Sequence, residues 1–276
     1  MKNQIIMIAP INQIQMGSYI ITTSENDVLV IDGGWRVDAL NLIEHLKEAT
    51  GMDVPKVDAW ILSHPHSDHI EAFLEINEKY SDRISFNGPL YYNFPSEQFL
   101  AKKDKEAKVT VREFYDALPT FAHKTCIVSG GDTYNVGTIK VEFLNSPDYT
   151  LDREVCNNAS LVTKITVAGK TVLFTADCGY ELGKKLLERY GESGILKCDI
   201  CQMAHHGQGG ADRDFYEAVN PEICLWPTPI HLWNNDAGLG YNTHEWKTIE
   251  TRTWMEELGV KKNYVTKDGT QVCPLD

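Results

Sequence analysis

"SHPHSDHIEA", residues 63–72, decides how the rest of the chain is read. It sets His64, His66, Asp68 and His69 directly behind the apolar run Trp60-Ile61-Leu62. On an extended segment the i, i+2 spacing of His64 and His66 puts two imidazoles on one side, able to share one ion. Asp68 and His69 open a helical pattern that carries them off at another angle, so a second ion is their natural client. Pro65 stiffens the loop, and Ser67 or Asp68 is expected to cap a helix beginning at His69. A single histidine on an apolar edge is usually a satisfied surface or core residue. Four metal-capable side chains crowded at a strand end are a constellation.

Two further segments end the same way: "KTVLFTADCG" (170–179) and "KCDICQMAHHG" (197–207). Each is a strand-length apolar run that stops at Asp or His and then meets glycine. Strand ends far apart in sequence can converge on one rim of a sheet. Asp177 closes the first run, and a buried carboxylate there needs a cation, because alone it costs several kcal/mol or titrates to neutrality. His205 and His206 close the second. Strand geometry would point them to opposite sides, so one ligates, with His205 favoured, and His206 is left for the substrate.

Between the strands lie helical patterns at Val37–Thr50, Asp68–Tyr80, Glu97–Leu118, Tyr180–Tyr190 and His244–Leu258. In the first, Val37, Leu40, Ile43 and Leu46 form one stripe and Gly51 is placed to end the helix. Further strands are expected at Ser18–Ile31, Asn135–Leu144 and Ser160–Val167. Strands alternating with helices, together with turns such as Asp32-Gly33-Gly34, indicate an α/β protein whose layered sheet is flanked by helices.

At 276 residues, with no low-complexity tract or repeat, the chain reads as one domain over 1–276, with an inserted helical segment around 88–120. A formal charge of -13 repels polyanions, so nucleic acid is disfavoured as a partner. Lys102 to Lys108 alternates with Asp104 and Glu106 and reads as a solvated helix face. The first ten residues hold no stretch apolar enough for a signal-peptide core or a membrane span. Seven cysteines without framework spacing fit a reducing, cytoplasmic compartment. Cys198 and Cys201 form a CxxC inside an expected strand and read as buried small hydrophobes.

His64-x-His66-x-Asp68-His69, then Asp177, then His205-His206-Gly207, resembles the metallo-β-lactamase fold hydrolases. The nearer likeness is to the branch typified by the metallo-hydrolase domain of the competence DNA-uptake protein and by phosphorylcholine esterase. That likeness rests on "IDGG" (31–34), the segment from Gly131 to Pro147, "NNASLV" (157–162) and the segment from Tyr264 to Gly269. It spans roughly Ile5 to Val272. The resemblance implies a four-layer αββα sandwich with one or two metal ions at the strand ends.

It further implies His64, His66, Asp68, His69, Asp177 and His205 as ligands, with a metal-bridged hydroxide as nucleophile. Asp68 would also orient that hydroxide, and His206 would assist the leaving group or the oxyanion. Where many relatives have a third histidine this chain has Cys156, a candidate extra ligand. Zinc is the expected metal; oxygen-rich coordination lets manganese or iron compete. Substrate contacts are expected from Asn158, Tyr92, Trp226 and His244, with Tyr91, Phe94 and Trp233 as further cleft-wall candidates. The implied substrate is a phosphodiester or another phosphate-containing small molecule. A carboxylic ester, lactone or thioester is the alternative, and a non-catalytic metal sensor the third reading. A homodimer is compatible with all three.

Overall fold

Strands β1 (Gln4–Met7), β2 (Ser18–Thr22) and β3 (Val28–Asp32) alternate apolar side chains between two faces, and both faces are buried. Ile5, Met7, Tyr19, Ile21, Leu29 and Ile31 point one way; Ile6, Ile20, Val28 and Val30 point the other. Such a sheet must be covered twice. The computed structural model, which describes residues 1–121 and 124–276, shows what covers it.

After β3 the chain runs through α1 (Ala39–Thr50), β4 (Lys56–Val57), β5 (Ala59–Ile61), α2 (Ser67–Lys79), β6 (Ser85–Phe86) and β7 (Leu90–Tyr92). Then follow α3 (Glu97–Lys103), α4 (Lys105–Phe121), β8 (Thr125–Ile127), β9 (Thr133–Val136), β10 (Ile139–Phe143), β11 (Thr163–Val167) and β12 (Lys170–Phe174). The last part comprises α5 (Tyr180–Tyr190), β13 (Ile200–Gln202), α6 (Arg213–Val219), β14 (Ile223–Trp226), α7 (Ile230–Trp233), α8 (Thr248–Glu257), β15 (Lys262–Val265) and β16 (Gln271–Pro274).

Two seven-stranded sheets result, ordered β16-β1-β2-β3-β5-β7-β8 and β15-β14-β13-β12-β11-β10-β9, with β4 and β6 as a separate pair. In each sheet antiparallel pairing gives way to parallel pairing, at β3/β5 and at β12/β13. One apolar core lies between the sheets, a second between the first sheet and α1, α2 and α4, and a third between the second sheet and α5, α6 and α8. Helices, sheet, sheet, helices is the αββα sandwich. Each Leu, Ile or Phe fully buried in these cores contributes about 1.5–3 kcal/mol.

Several expected boundaries move, each for a local reason. Ser18–Ile31 is a hairpin, not one strand, because Asn26 turns the chain at φ 66°. The first helix begins at Ala39, and its buried stripe is Ala39, Leu42, Ile43 and Leu46; Val37 and Leu40 are exposed. Gly51 ends it in the left-handed conformation, as its position predicts. The long helix over 97–118 breaks at the extended Asp104 into α3 and α4. The last helix starts at Thr248, so His244 stands before it. In the CxxC only Cys201 lies in a strand; both cysteines are buried and free. Among the described residues no helix is long and apolar enough to cross a membrane.

Candidate metal centre

The parallel strands β3, β5, β12 and β13 all deliver their C-terminal ends to one rim. β5 stops at Ile61, and His64-Pro65-His66 leaves it extended. His66 is the N-cap residue of α2, which begins at Ser67 rather than His69, so neither Ser67 nor Asp68 caps it. The Ser67 hydroxyl pairs with Thr110 Oγ1 on α4 instead. Asp68 and His69 occupy the first helical turn and point back over the strand end.

Asp32, at the end of β3, governs the two inner histidines. Its carboxylate accepts from Ser63 N at 2.8 Å, from Ser63 Oγ at 2.8 Å and from His69 Nδ1 at 2.7 Å. Ser63 Oγ, having donated its proton to Asp32, accepts from His64 Nδ1 at 3.0 Å. Both histidines therefore carry their protons on Nδ1 and keep Nε2 for an ion. The backbone N–H groups of Gly33 and Gly34 both donate to His69 O, which fixes the ring's base. Gly17 must be glycine: a Cβ there would sit 2.6 Å from the His69 ring.

Asp177 follows β12 after Ala176, whose φ is 48°. Its N–H donates to Ser160 Oγ. Its Oδ1 lies 3.2 Å from His69 Nε2; its Oδ2 lies 3.3 Å from His206 Nε2 and 3.7 Å from His64 Nε2. His206 Nε2 is also 3.2 Å from Asp68 Oδ2. Adjacent ligands of a tetrahedral ion with bonds of 2.0–2.1 Å stand about 3.3–3.4 Å apart, so the separations have the size of coordination edges. His69 Nε2, His206 Nε2 and Asp177 Oδ1 are buried and have no hydrogen-bond partner, although they face one another. Polar atoms aimed at a common centre, yet misaligned for bonding to one another, fit a cation.

Two ligand groups emerge, His64–His69–Asp177 and Asp68–His69–His206, each with donor atoms within 4.8 Å of one another. The charge balance agrees. Burial favours neutral Asp177, but the adjacent His206 and His69 outweigh it and hold the carboxyl well below the ordinary range. Burial likewise opposes a charge on His206, yet Asp177 and Asp68 raise it to about 9. Burial, with His69 nearby, keeps His64 neutral.

His205 and His206 are placed by a feature invisible to strand reasoning. β13 ends at Gln202, and His205, His206 and Gly207 all have positive φ, at 48°, 54° and 77°. Alternation of faces does not apply to such a turn, and it is the ring of His206 that turns inward. His206 is buried against Asp68 and Asp177, whereas His205 is a fifth exposed, its Nε2 3.9 Å from Asp177 Oδ2 and 3.4 Å from Asn157 Nδ2. Left-handed conformation in non-glycine residues costs about 1–2 kcal/mol each and gathers at functional sites. Thr228 Oγ1 donates to His206 O, and Gly207 packs on Trp226 with no room for a Cβ.

The expected substrate contacts fare differently. Asn158 is buried with its Nδ2 donating to Arg153 O and its Oδ1 accepting from Leu182 N, so its polar ends are committed to the fold. Tyr92 packs with Phe94 and Phe114 in a helix-side core, Tyr91 lies between the sheets, and Trp226 is buried with Nε1 donating to Asn263. These are core residues, not cleft walls, because strands buried on both faces leave no aromatic free. Trp233 stacks under Arg252. His244 is exposed and stacked on Trp246, on a segment tied to Gln208 through Lys247 N–H. Cys156 is fully buried and clusters with His66 and Asp104. Reading the sequence missed Asp32, Ser63 and Asp104; the Asp before the paired glycines was the one local signal.

Residues 17–219 match the family model described as the Metallo-beta-lactamase superfamily. The chain belongs to the metallo-β-lactamase superfamily. Its members are mostly metal-dependent hydrolases. No curated protein matches the chain by sequence. Among solved structures, the metallo-β-lactamase fold protein YhfI from Bacillus subtilis has a TM-score of 0.55 at 16% identity, over 98% of this chain and 99% of its own. The diiron β-hydroxylase CmlA from Streptomyces venezuelae has a TM-score of 0.55 at 13% identity, over 99% of this chain and 54% of its own. At these identities the likeness is one of fold, and the two His/Asp ligand groups belong to this chain's own geometry.

Proposed function

We propose that this member of the superfamily is a hydrolase with a dinuclear metal centre, acting on a phosphodiester or another phosphate-containing small molecule. The observation that carries the reading is Asp177, buried among three histidines, with Oδ1 facing His69 and Oδ2 facing both His206 and His64. His64, His66 and Asp177 would hold one ion; Asp68, His69, His206 and Asp177 would hold the other. Zinc suits this nitrogen and oxygen set, and so do manganese and iron, the metal named for the hydroxylase of similar fold. When bound, such ions supply Lewis acidity and an acidified water near neutral pH.

The chain's own residues do the rest. Asp32 and Ser63 keep the Nδ1 protons of His69 and His64, so that both Nε2 atoms stay basic. Asp68, a tenth exposed at the helix start, orients the attacking water. His205, on the exposed side, meets the substrate oxygen, the role the sequence alone assigned to His206. The preference for phosphate over carbon esters rests on the resemblance to the phosphorylcholine esterase branch. The charge of -13 favours a small substrate over a polymer.

Metal-loaded protein should hydrolyse a chromogenic phosphodiester, and Asp177→Ala should abolish the turnover. Turnover of thioester or lactone alone would move the substrate to the carbon-ester class. A metal-loaded protein inert on the whole panel would make it a sensor.

A further inference from the structure

Beside the metal centre the two sheets frame a second opening. Strand β1 ends at the same rim as β3, because β2 runs antiparallel to both, and β14 and β15 continue the parallel run of β13. The loops beyond these strands enclose a cavity of about 250 Å³, with Pro10, Ile11 and Gln13 on the side of the first sheet and Pro229, Ile230 and Lys267 on the side of the second. β1 stands two strands from β3, roughly 10 Å at ordinary strand spacing. Both walls lead back to the metal centre. The first loop ends at Gly17, against the His69 ring, and Pro229 follows Thr228, whose hydroxyl donates to His206 O.

The first wall is stapled to the body of the protein. Ile11 N–H donates to Asp38 Oδ1 at 2.9 Å, Asn41 Nδ2 to Ala9 O at 3.2 Å, Ala9 N–H to Thr270 Oγ1 at 3.1 Å and Trp35 Nε1 to Gln15 O at 2.8 Å. Held by this backbone, Ile11 stays 62% exposed; Ile230, which opens α7, is 46% exposed. Two large aliphatic side chains left in water on facing walls forgo burial energy. Single exposed apolar residues are ordinary, but a facing pair across a preformed cavity marks a place for an apolar group. The one charged lining residue, Lys267, sets its ammonium on the Asp268 carboxylate and near the Trp233 ring. The cavity thus offers a ligand apolar contact and no free charge.

We propose that this cavity receives the alkyl arm of a substrate whose phosphate lies at the metal centre, which makes the substrate class a phosphate ester or phosphodiester of a medium-chain aliphatic alcohol. The inference rests on the reading of the strand-end site as a phosphate-binding metal centre. At about 250 Å³ the cavity has the size of a substrate fragment and is too small for a protein segment. An arm leaving the metal centre must cover roughly 10 Å, two strand spacings, before it lies between Ile11 and Ile230. Short alkyl groups therefore gain nothing there, and each methylene that does reach full burial is worth about fourfold in affinity.

Calorimetric titration of the metal-loaded full chain with butyl and octyl phosphate, and with pentanoate and nonanoate, tests chain and headgroup separately and needs no turnover. Octyl phosphate should bind about tenfold or more tighter than butyl phosphate, and Ile11→Asn and Ile230→Asn should each cut that ratio by about threefold or more. Ile127→Asn, 66% exposed on the opposite edge strand β8, should keep it. Equal binding of the two phosphates, or an octyl preference untouched by both isoleucine variants, would overturn the cavity's role and leave the metal centre standing. A chain-length preference among the carboxylates alone, lost in the same variants, would uphold the cavity and replace the phosphate headgroup. No binding in either series would defeat both readings.

Discussion

Asp177 Oδ1 lies 3.2 Å from His69 Nε2, and neither atom has a hydrogen-bond partner. The pair is close enough for strong attraction but off the line that an N–H bond needs. A cation between them would use both lone pairs.

Replacing Asp177 with alanine should therefore remove metal before it removes structure. Elemental analysis after dialysis should find less than one ion per chain. Turnover should drop by roughly a hundredfold or more, the scale of losing one preorganised electrostatic group. Full metal content in a folded Asp177→Ala protein would sink the bridging role.

Asp32 touches no ion in this scheme, yet it holds His69 directly and His64 through Ser63. Asp32→Ala should weaken metal affinity about 10–100-fold, as loss of a hydrogen-bonding partner to a metal-ligating histidine does. It also strands the buried Ser63 N–H, at a cost of about 1–3 kcal/mol in stability. Competition with a chromogenic chelator measures the first effect and urea denaturation the second; unchanged affinity would refute the positioning role.

Metal should stabilise the fold, since the cage draws on four strand ends. At a free-ion concentration a hundred times the dissociation constant, linkage adds about 2.7 kcal/mol. A strong chelator should lower the thermal midpoint of the unaltered protein and leave that of Asp177→Ala nearly unmoved. Equal shifts in both would point to metal bound elsewhere.

Gly207 has φ 77°, and a Cβ there would lie 2.7 Å from the Trp226 ring. Gly207→Ala should destabilise the protein by more than about 1 kcal/mol and displace the neighbouring His206. Urea midpoints report the first and metal content the second. A variant as stable and as metal-rich as the parent would contradict the packing argument.

Asp27 clasps the two sheets: its carboxylate accepts from Thr23 Oγ1, Thr138 N and Thr138 Oγ1. Burial pushes its pKa up, but these hydrogen bonds outweigh burial and hold the carboxyl below its ordinary value. A pKa lower in the folded than in the unfolded state adds stability that is full above the unfolded value and fades as pH falls through the folded one. Asp27→Ala should lower urea stability at pH 7 and flatten the loss of stability between about pH 5 and pH 2. A parallel acid profile in the variant would remove Asp27 from the account.

Much of this was legible in "SHPHSDHIEA". Its six-residue spread of donors after an apolar strand needs no tertiary information to signal metal, and the ends of β12 and β13 repeat the grammar with Asp177 and His205-His206. The αββα layering follows from strands apolar on both faces, set between amphipathic helices. Less was legible wherever a side chain's partner is remote in sequence. Asp104 looked like one charge in a solvated run, and only the break between α3 and α4 turns it to His66. Tyr92 and Trp226 looked like cleft aromatics until both faces of each sheet proved covered.

The sequence by itself determined the donor types, their strand-end positions and the family, because local spacing and hydrophobic period are properties of the chain. Which histidine of His205-His206 turns inward was decided by the tertiary structure. There the left-handed run through Gly207, wedged against Trp226 and tied by Thr228, sets side-chain direction by backbone dihedrals that no alternation rule contains.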